Sequence, residues 1–141
     1  MRSSAGEVKM EIVTEAPLDP GKLFEKIRKT GSGSLLFHYA VVKGEAGDRA
    51  FSGIRFERNG DIEAELAGIA ADVRGRGNVD DVLLVRRIGT LKVGDVISLV
   101  AVSSPASNAA FEACHFGLER LKKMVSLKKT ELFRDRGKNL P

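Results

Sequence analysis

The stretch DVLLVRRIGTLKVGDVISLVAV, residues 81–102, decides the fold class. Asp81–Ile88 and Asp95–Val102 are short, apolar and rich in β-branched residues, the composition of strands. Gly89–Thr90–Leu91–Lys92–Val93–Gly94 joins them as a hairpin-like connection. A hairpin of this kind has to be fitted among whatever helices lie on either side of it.

Helices do lie on either side. Upstream, Asn59–Gly60–Asp61 breaks the chain and opens a helix with Ile62, Leu66, Ile69 and Val73 on one face, ended by Gly75–Arg76–Gly77–Asn78. Before it come strands at Ser34–Val42 and Ala50–Arg58, with Gly44–Asp48 as the loop between. Earlier still, Asp19–Pro20 starts a helix with Leu23, Phe24 and Ile27 on one face and Gly31 at its end. Val8, Met10 and Ile12 alternate with charged residues, as in a half-buried strand. Downstream, Ser103–Asn108 is a loop rich in capping side chains. A helix follows from about Ala109 to Lys123, with Phe111, Cys114, His115, Leu118 and Leu121 facing inward. Val125–Phe133 reads as the last strand. The order β-α-β-β-α-β-β-α-β mixes hairpins with helices and predicts an α+β fold with a mixed or antiparallel sheet and about three helices.

The 141 residues make one domain's length, so 1–141 is read as a single domain with 1–7 and 134–141 as flexible termini. With 43% hydrophobic and 30% charged residues the composition is that of a globular protein. Apolar stretches are far shorter than a membrane span, and Met1–Ser4 leads into charge, so neither a membrane nor a secretory signal is expected and the cytoplasm is the default compartment. One cysteine, Cys114, excludes an internal disulfide framework, and with two histidines no metal site is expected. Charge is local: residues 114–141 hold eight basic residues against three acidic ones, a balance of +5, which leaves −1 over residues 1–113. Such a region suits an anionic small molecule, an acidic partner or nucleic acid, or else is a solvated helix face with a basic tail.

Lys122 and Lys129 stand out by position. Residues 111, 115, 118 and 122 fall at i, i+4, i+7 and i+11, so Lys122 lies at the edge of the helix's apolar stripe, near the C-terminus that favours a cation. Val125, Leu127 and Lys129 share one face by the two-residue period, and Lys129 points inward if the other two do. Partial burial would make these amines better nucleophiles or bases. The commoner arrangement for such lysines is to run along apolar surface out to solvent. Lys123 and Lys128 read as outward neighbours. His38 and His115 are solitary, and Cys114 reads as a small core residue. Gly31–Ser32–Gly33–Ser34 precedes a strand, the wrong context for a phosphate-cradling loop. Arg74–Gly75–Arg76–Gly77 has no aromatic beside it, and eight aromatics in all offer no stacking platform for bases, so nucleic acid is not the expected partner.

Several segments together resemble a known family. Arg87–Ile88–Gly89–Thr90–Leu91–Lys92–Val93–Gly94–Asp95 is similar to its HR-x-G-x-L-x-x-G-D pattern. A valine-rich strand follows, then Ser103–Ser104, Ala110–Phe111–Glu112–Ala113, Leu121–Lys122 and Lys129–Thr130–Glu131. In this order and spacing they resemble the large, catalytic subunit of molybdopterin synthase, over roughly residues 8–133. The resemblance implies an α/β-hammerhead fold, a homodimer, and one small ubiquitin-like sulfur-carrier subunit per protomer, giving a heterotetramer. It implies sulfur transfer from the carrier's C-terminal thiocarboxylate to cyclic pyranopterin monophosphate, making the molybdopterin dithiolene without a resident metal or cofactor. The family's two essential lysines fall on Lys122 and Lys129. Lys43, Ser107 and Glu131, with the two lysines, are the substrate-contacting set it implies.

The sequence also departs from the family. Its usual His-Arg before Ala-Phe-Glu-Ala is Ala106 and Ser107 here, the arginine ending its Gly-x-Val-Arg strand is Lys43, and the first histidine of HR-x-G is Arg86. Lysine keeps the charge of arginine but loses the bidentate fork. Lys43, Ser107, Arg134 or Arg136 would have to compensate. The competing expectation is a non-catalytic carrier-binding or assembly relative that has lost the pterin site.

Overall fold

In the computed structural model, which describes residues 10–28, 32–46 and 49–134, the apolar run Val82–Val85 is buried on both faces of a four-stranded sheet. The elements in chain order are β1 (Glu11–Thr14), α1 (Pro20–Ile27), β2 (Ser34–Val41), β3 (Glu45–Ala46), β4 (Arg49–Arg58), α2 (Ile62–Arg74), β5 (Asp81–Arg87), β6 (Gly89–Lys92), β7 (Val96–Ser104), α3 (Ser107–Lys122) and β8 (Leu127–Phe133). The larger sheet runs β1-β5-β7-β2, parallel between β1 and β5 and antiparallel elsewhere. In the second sheet β4 pairs antiparallel with β3, β6 and β8. The α+β class, the three helices and the mixed and antiparallel pairing agree with the sequence.

The alternation of strand side chains assigns the two faces of the larger sheet. Leu83, Val85, Leu99 and Ala101 face α1, through Leu23 and Ile27. Val82, Leu84, Val100 and Val102 face α2 and α3, meeting Leu66, Ile69, Val73 and Cys114. A third, smaller core of Val42, Ile54, Phe56 and Leu91 belongs to the second sheet, and Leu127 packs against both it and the α2–α3 core. Helix starts follow the sequence: Asp19 accepts from the amides of Gly21 and Lys22 with Pro20 at the first helical position, and Asp61 accepts from Ala64 N at 3.0 Å.

Five expectations are corrected. The Gly89–Gly94 connection carries β6, which leaves the first sheet and pairs with β4, and the Gly44–Asp48 loop carries β3. The capping side chains of residues 103–108 do not cap α3: its N-cap is Ala106, with Ser107 and Asn108 already in the helix and Ser104 Oγ bound among backbone groups. Phe111 and His115 do not face inward, since Phe111 is 63% exposed and the His115 side chain 75%. Small residues turn inward instead: a Cβ on Gly117 would sit 3.2 Å from Val100 Cγ1, so α3 packs along its Ala110–Ala113–Gly117 ridge. Finally, Val125 is 76% exposed and precedes β8. Val8, Gly31, Arg136 and the terminal segments 1–7 and 135–141 lie outside the described residues.

Candidate active site

Where the two sheets meet, the C-terminal end of α3 overhangs a cleft of about 480 Å³, a size that suits a small molecule. Its apolar wall comes from Ile54, Phe56, Ile97, Leu118 and Leu121, and its polar groups are His38, Arg86, Ser98, Lys122 and Lys129. Three of the polar groups are cations and none is a carboxylate.

Strand register explains the floor. Ala40, Ser98 and Arg86 are Cα partners across β2, β7 and β5, so they form one row on the α2–α3 face of the larger sheet. His38 lies two residues before Ala40 on the same face. The last turns of α3 border this row through Leu118, Leu121 and Lys122, and Ala40 and Ser98 are small enough to leave space. Arg86 is only 8% exposed, and its guanidinium lies 4.4 Å above the Phe56 ring. Burial pushes its pKa down to about 10, which leaves it cationic at neutral pH. The buried atoms Arg86 Nε and His38 Nδ1 have no hydrogen-bond partner.

The lysines enter from the other side. Lys129 is the Cα partner of Phe56 on β4, and Lys122 is the last residue of α3. Both therefore reach one cleft from different elements. Neither lysine is buried: the side chains are 61% and 54% exposed, the run out to solvent that is the commoner arrangement, at a cleft mouth open at the end of the helix. Glu119 lies 3.5 Å from Lys122 Nζ and Glu131 lies 3.7 Å from Lys129 Nζ. These carboxylates flank the lysines outside the lining and help to aim them.

The turn between the two lysines is fixed from α2. Glu65 accepts hydrogen bonds from Val125 N, Ser126 N and Ser126 Oγ, and Ser126 O accepts from Asn59 N at 2.7 Å. Of the other residues expected at the site, Glu131 is placed beside Lys129, but Lys43 and Ser107 are not brought in. Lys43 is exposed beyond the end of β2, and Ser107 begins α3, fifteen residues and roughly 22 Å of helix away from Lys122. Arg134 is exposed after β8. Sequence reasoning missed His38 and Ser98 as lining groups and saw Arg86 only as a departure; the β2-β7-β5 register that unites them is a tertiary fact. Among the described residues, no group of three or more His, Cys, Asp or Glu side chains comes together to hold a metal, and no helix is long and apolar enough to cross a membrane.

Residues 13–124 match the family model described as MoaE protein. The molybdopterin synthase catalytic subunit of Bacillus subtilis is 26% identical over 124 residues, covering 87% of this chain and 79% of that one. The crystal structure of molybdopterin synthase from Staphylococcus aureus superposes with a TM-score of 0.83 at 24% identity, covering 92% of this chain and 95% of that one. A complex of subunits 1 and 2 of molybdopterin-converting factor from Helicobacter pylori is similar in fold, with a TM-score of 0.72 at 15% identity over 89% of this chain and 86% of that one.

Proposed function

The chain belongs to the MoaE protein family, and we propose that it is the catalytic subunit of a molybdopterin synthase, a sulfurtransferase. The observation that carries this reading is the convergence of Lys122 and Lys129 on one cationic cleft. Its substrates are anions: a phosphorylated pterin, cyclic pyranopterin monophosphate, and the thiocarboxylated C-terminus of a small ubiquitin-like carrier. Accessible ammonium groups can hold both and stabilise the charge that develops as sulfur leaves the carrier for the pterin. Lys129, level with Phe56 in the strand register, is closest to the chemistry. Lys122, at the open mouth, meets the carrier's C-terminus. Sulfur arrives on the carrier, so the reaction takes no resident metal or cofactor. The working assembly is a homodimer with one carrier per protomer, in the cytoplasm.

Reconstitution tests the reading: purified protein, thiocarboxylated carrier and cyclic pyranopterin monophosphate are mixed, and dithiolene pterin is followed as its fluorescent oxidation product. Product formation is the expected result. One observation favours a second reading as a carrier-binding assembly module, namely that Lys43 and Ser107 stand outside the cleft. That reading predicts carrier binding on a sizing column with no pterin binding and no product.

A further inference from the structure

We propose that Arg86 is the oxyanion seat of the cleft, a substrate-holding residue on its floor. The inference rests on the sulfur-transfer reading of this cleft and adds to it the group that grips the anion. It starts from a contrast between neighbours in the chain. Arg86 and Arg87 are almost equally buried, at 8% and 7% exposure, but they point to opposite faces of β5. Arg87 is tied into the fold by its terminal nitrogens, which donate to the carbonyls of Val96 at 3.4 Å and Glu15 at 2.9 Å, although its Nε, like that of Arg86, is buried without an acceptor. Arg86 has no carboxylate or carbonyl partner among the described residues, and its Nε is buried without an acceptor. Its one contact of note is the face of Phe56.

A buried guanidinium without acceptors is costly unless something else satisfies it. The Phe56 ring lies against the group at 4.4 Å and offers no acceptor to its N–H edge. Such a fork matches two oxygens of a carboxylate-type or phosphate group. The small neighbours Ser98 and Ala40 leave room in front of it, and His38, with its own unpartnered Nδ1, lies on the same face. Lys129 approaches the same Phe56 from the second sheet. An oxyanion that reaches the floor would therefore be held by Arg86 below and by the lysines above, which places the ligand between them.

Two sources share this chemistry, the phosphate of the pterin and the C-terminal carboxylate-like group of the carrier tail. The test titrates the full chain with inorganic phosphate and, separately, with a peptide ending in Gly-Gly, and follows the Arg86 Nε–Hε resonance by NMR. A saturable shift with either ligand is expected, and the ligand that gives it identifies the source. Arg86→Gln should weaken that binding at least tenfold, with Arg86→Lys, which keeps the charge and loses the fork, in between. A resonance unmoved by both ligands overturns the proposal, as does unchanged affinity in a folded Arg86→Gln protein. The wild-type resonance needs no variant, so a poorly folding variant does not block the test. Binding that depends on Arg86 without product in the reconstitution would refute the sulfur-transfer reading alone. Product formed by Arg86→Gln at wild-type KM would refute the role of Arg86 alone.

Discussion

Replacing Glu65 with alanine should loosen the lysine pair without touching either lysine. The carboxylate of Glu65 accepts from Val125 N at 3.0 Å, Ser126 N at 2.9 Å and Ser126 Oγ at 2.5 Å, in the turn that joins Lys122 to Lys129. Hydrogen bonds to a charged group contribute roughly 1.5–3 kcal/mol each. Val125 is exposed, so its amide can rehydrate, whereas Ser126 is 5% exposed and its donors would be stranded. Counting the two Ser126 bonds, and allowing for non-additivity, the loss is roughly 2–4 kcal/mol. For a domain of this size that is about 6–12 °C in Tm.

Acid should narrow the gap. Burial by itself would raise the Glu65 carboxyl, but the Ser126 hydroxyl, the Val125 and Ser126 amides and the nearby Arg120 charge outweigh it and hold the pKa below its ordinary value. A lowered carboxyl contributes stability that is present above the unfolded pKa, about 4.3 for glutamate, and lost as pH falls through the folded value. Thermal unfolding by circular dichroism at pH 7 and pH 3, with kcat for sulfur transfer measured at pH 7, checks the argument. The Tm difference between wild type and Glu65→Ala should be largest at pH 7 and shrink at pH 3, with kcat falling more than KM rises. A Tm within about 1 °C of wild type at pH 7, together with unchanged turnover, would refute the reasoning.

Two other substitutions or treatments probe the frame around the site. A Cβ on Gly53 would lie 2.2 Å from the Leu91 carbonyl oxygen, so Gly53→Ala should break the β4–β6 pairing and cost about 2 kcal/mol or more; an unaltered Tm would count against this close approach. Cys114 is 5% exposed and burial pushes its thiol up to about 11, so a disulfide reagent at pH 8 should label it slowly in the native protein and fully in guanidinium. Native labelling at the rate of a free thiol would contradict its burial.

The sequence is most legible where one side chain pattern answers to one neighbour. Ile62, Leu66, Ile69 and Val73 are all buried as their helical period requires, between Asp61 and Gly75. It is least legible where packing depends on size rather than polarity. Phe111 is apolar and so expected inside, yet α3 approaches β7 closely, with Gly117 against Val100 and Cys114 at the Val100 carbonyl, and Phe111 is left 63% exposed. The lysine pair was legible for a reason that was half right: the helix end and the strand period do bring Lys122 and Lys129 together, although Val125 turns outward and neither amine is buried. Arg86 was hidden because β5 is buried on both faces, and nothing in its continuous apolar run tells which arginine meets the cleft and which meets the Glu15 carbonyl.

Paired alanine substitutions on β8 test the central claim most directly. Lys128 and Lys129 are adjacent, both exposed and equal in charge, but only Lys129 lines the cleft. In reconstituted sulfur transfer, Lys129→Ala should abolish turnover with the fold intact by circular dichroism, while Lys128→Ala should keep it near the wild-type rate. Equal loss in both variants, or full activity in Lys129→Ala, would contradict the account.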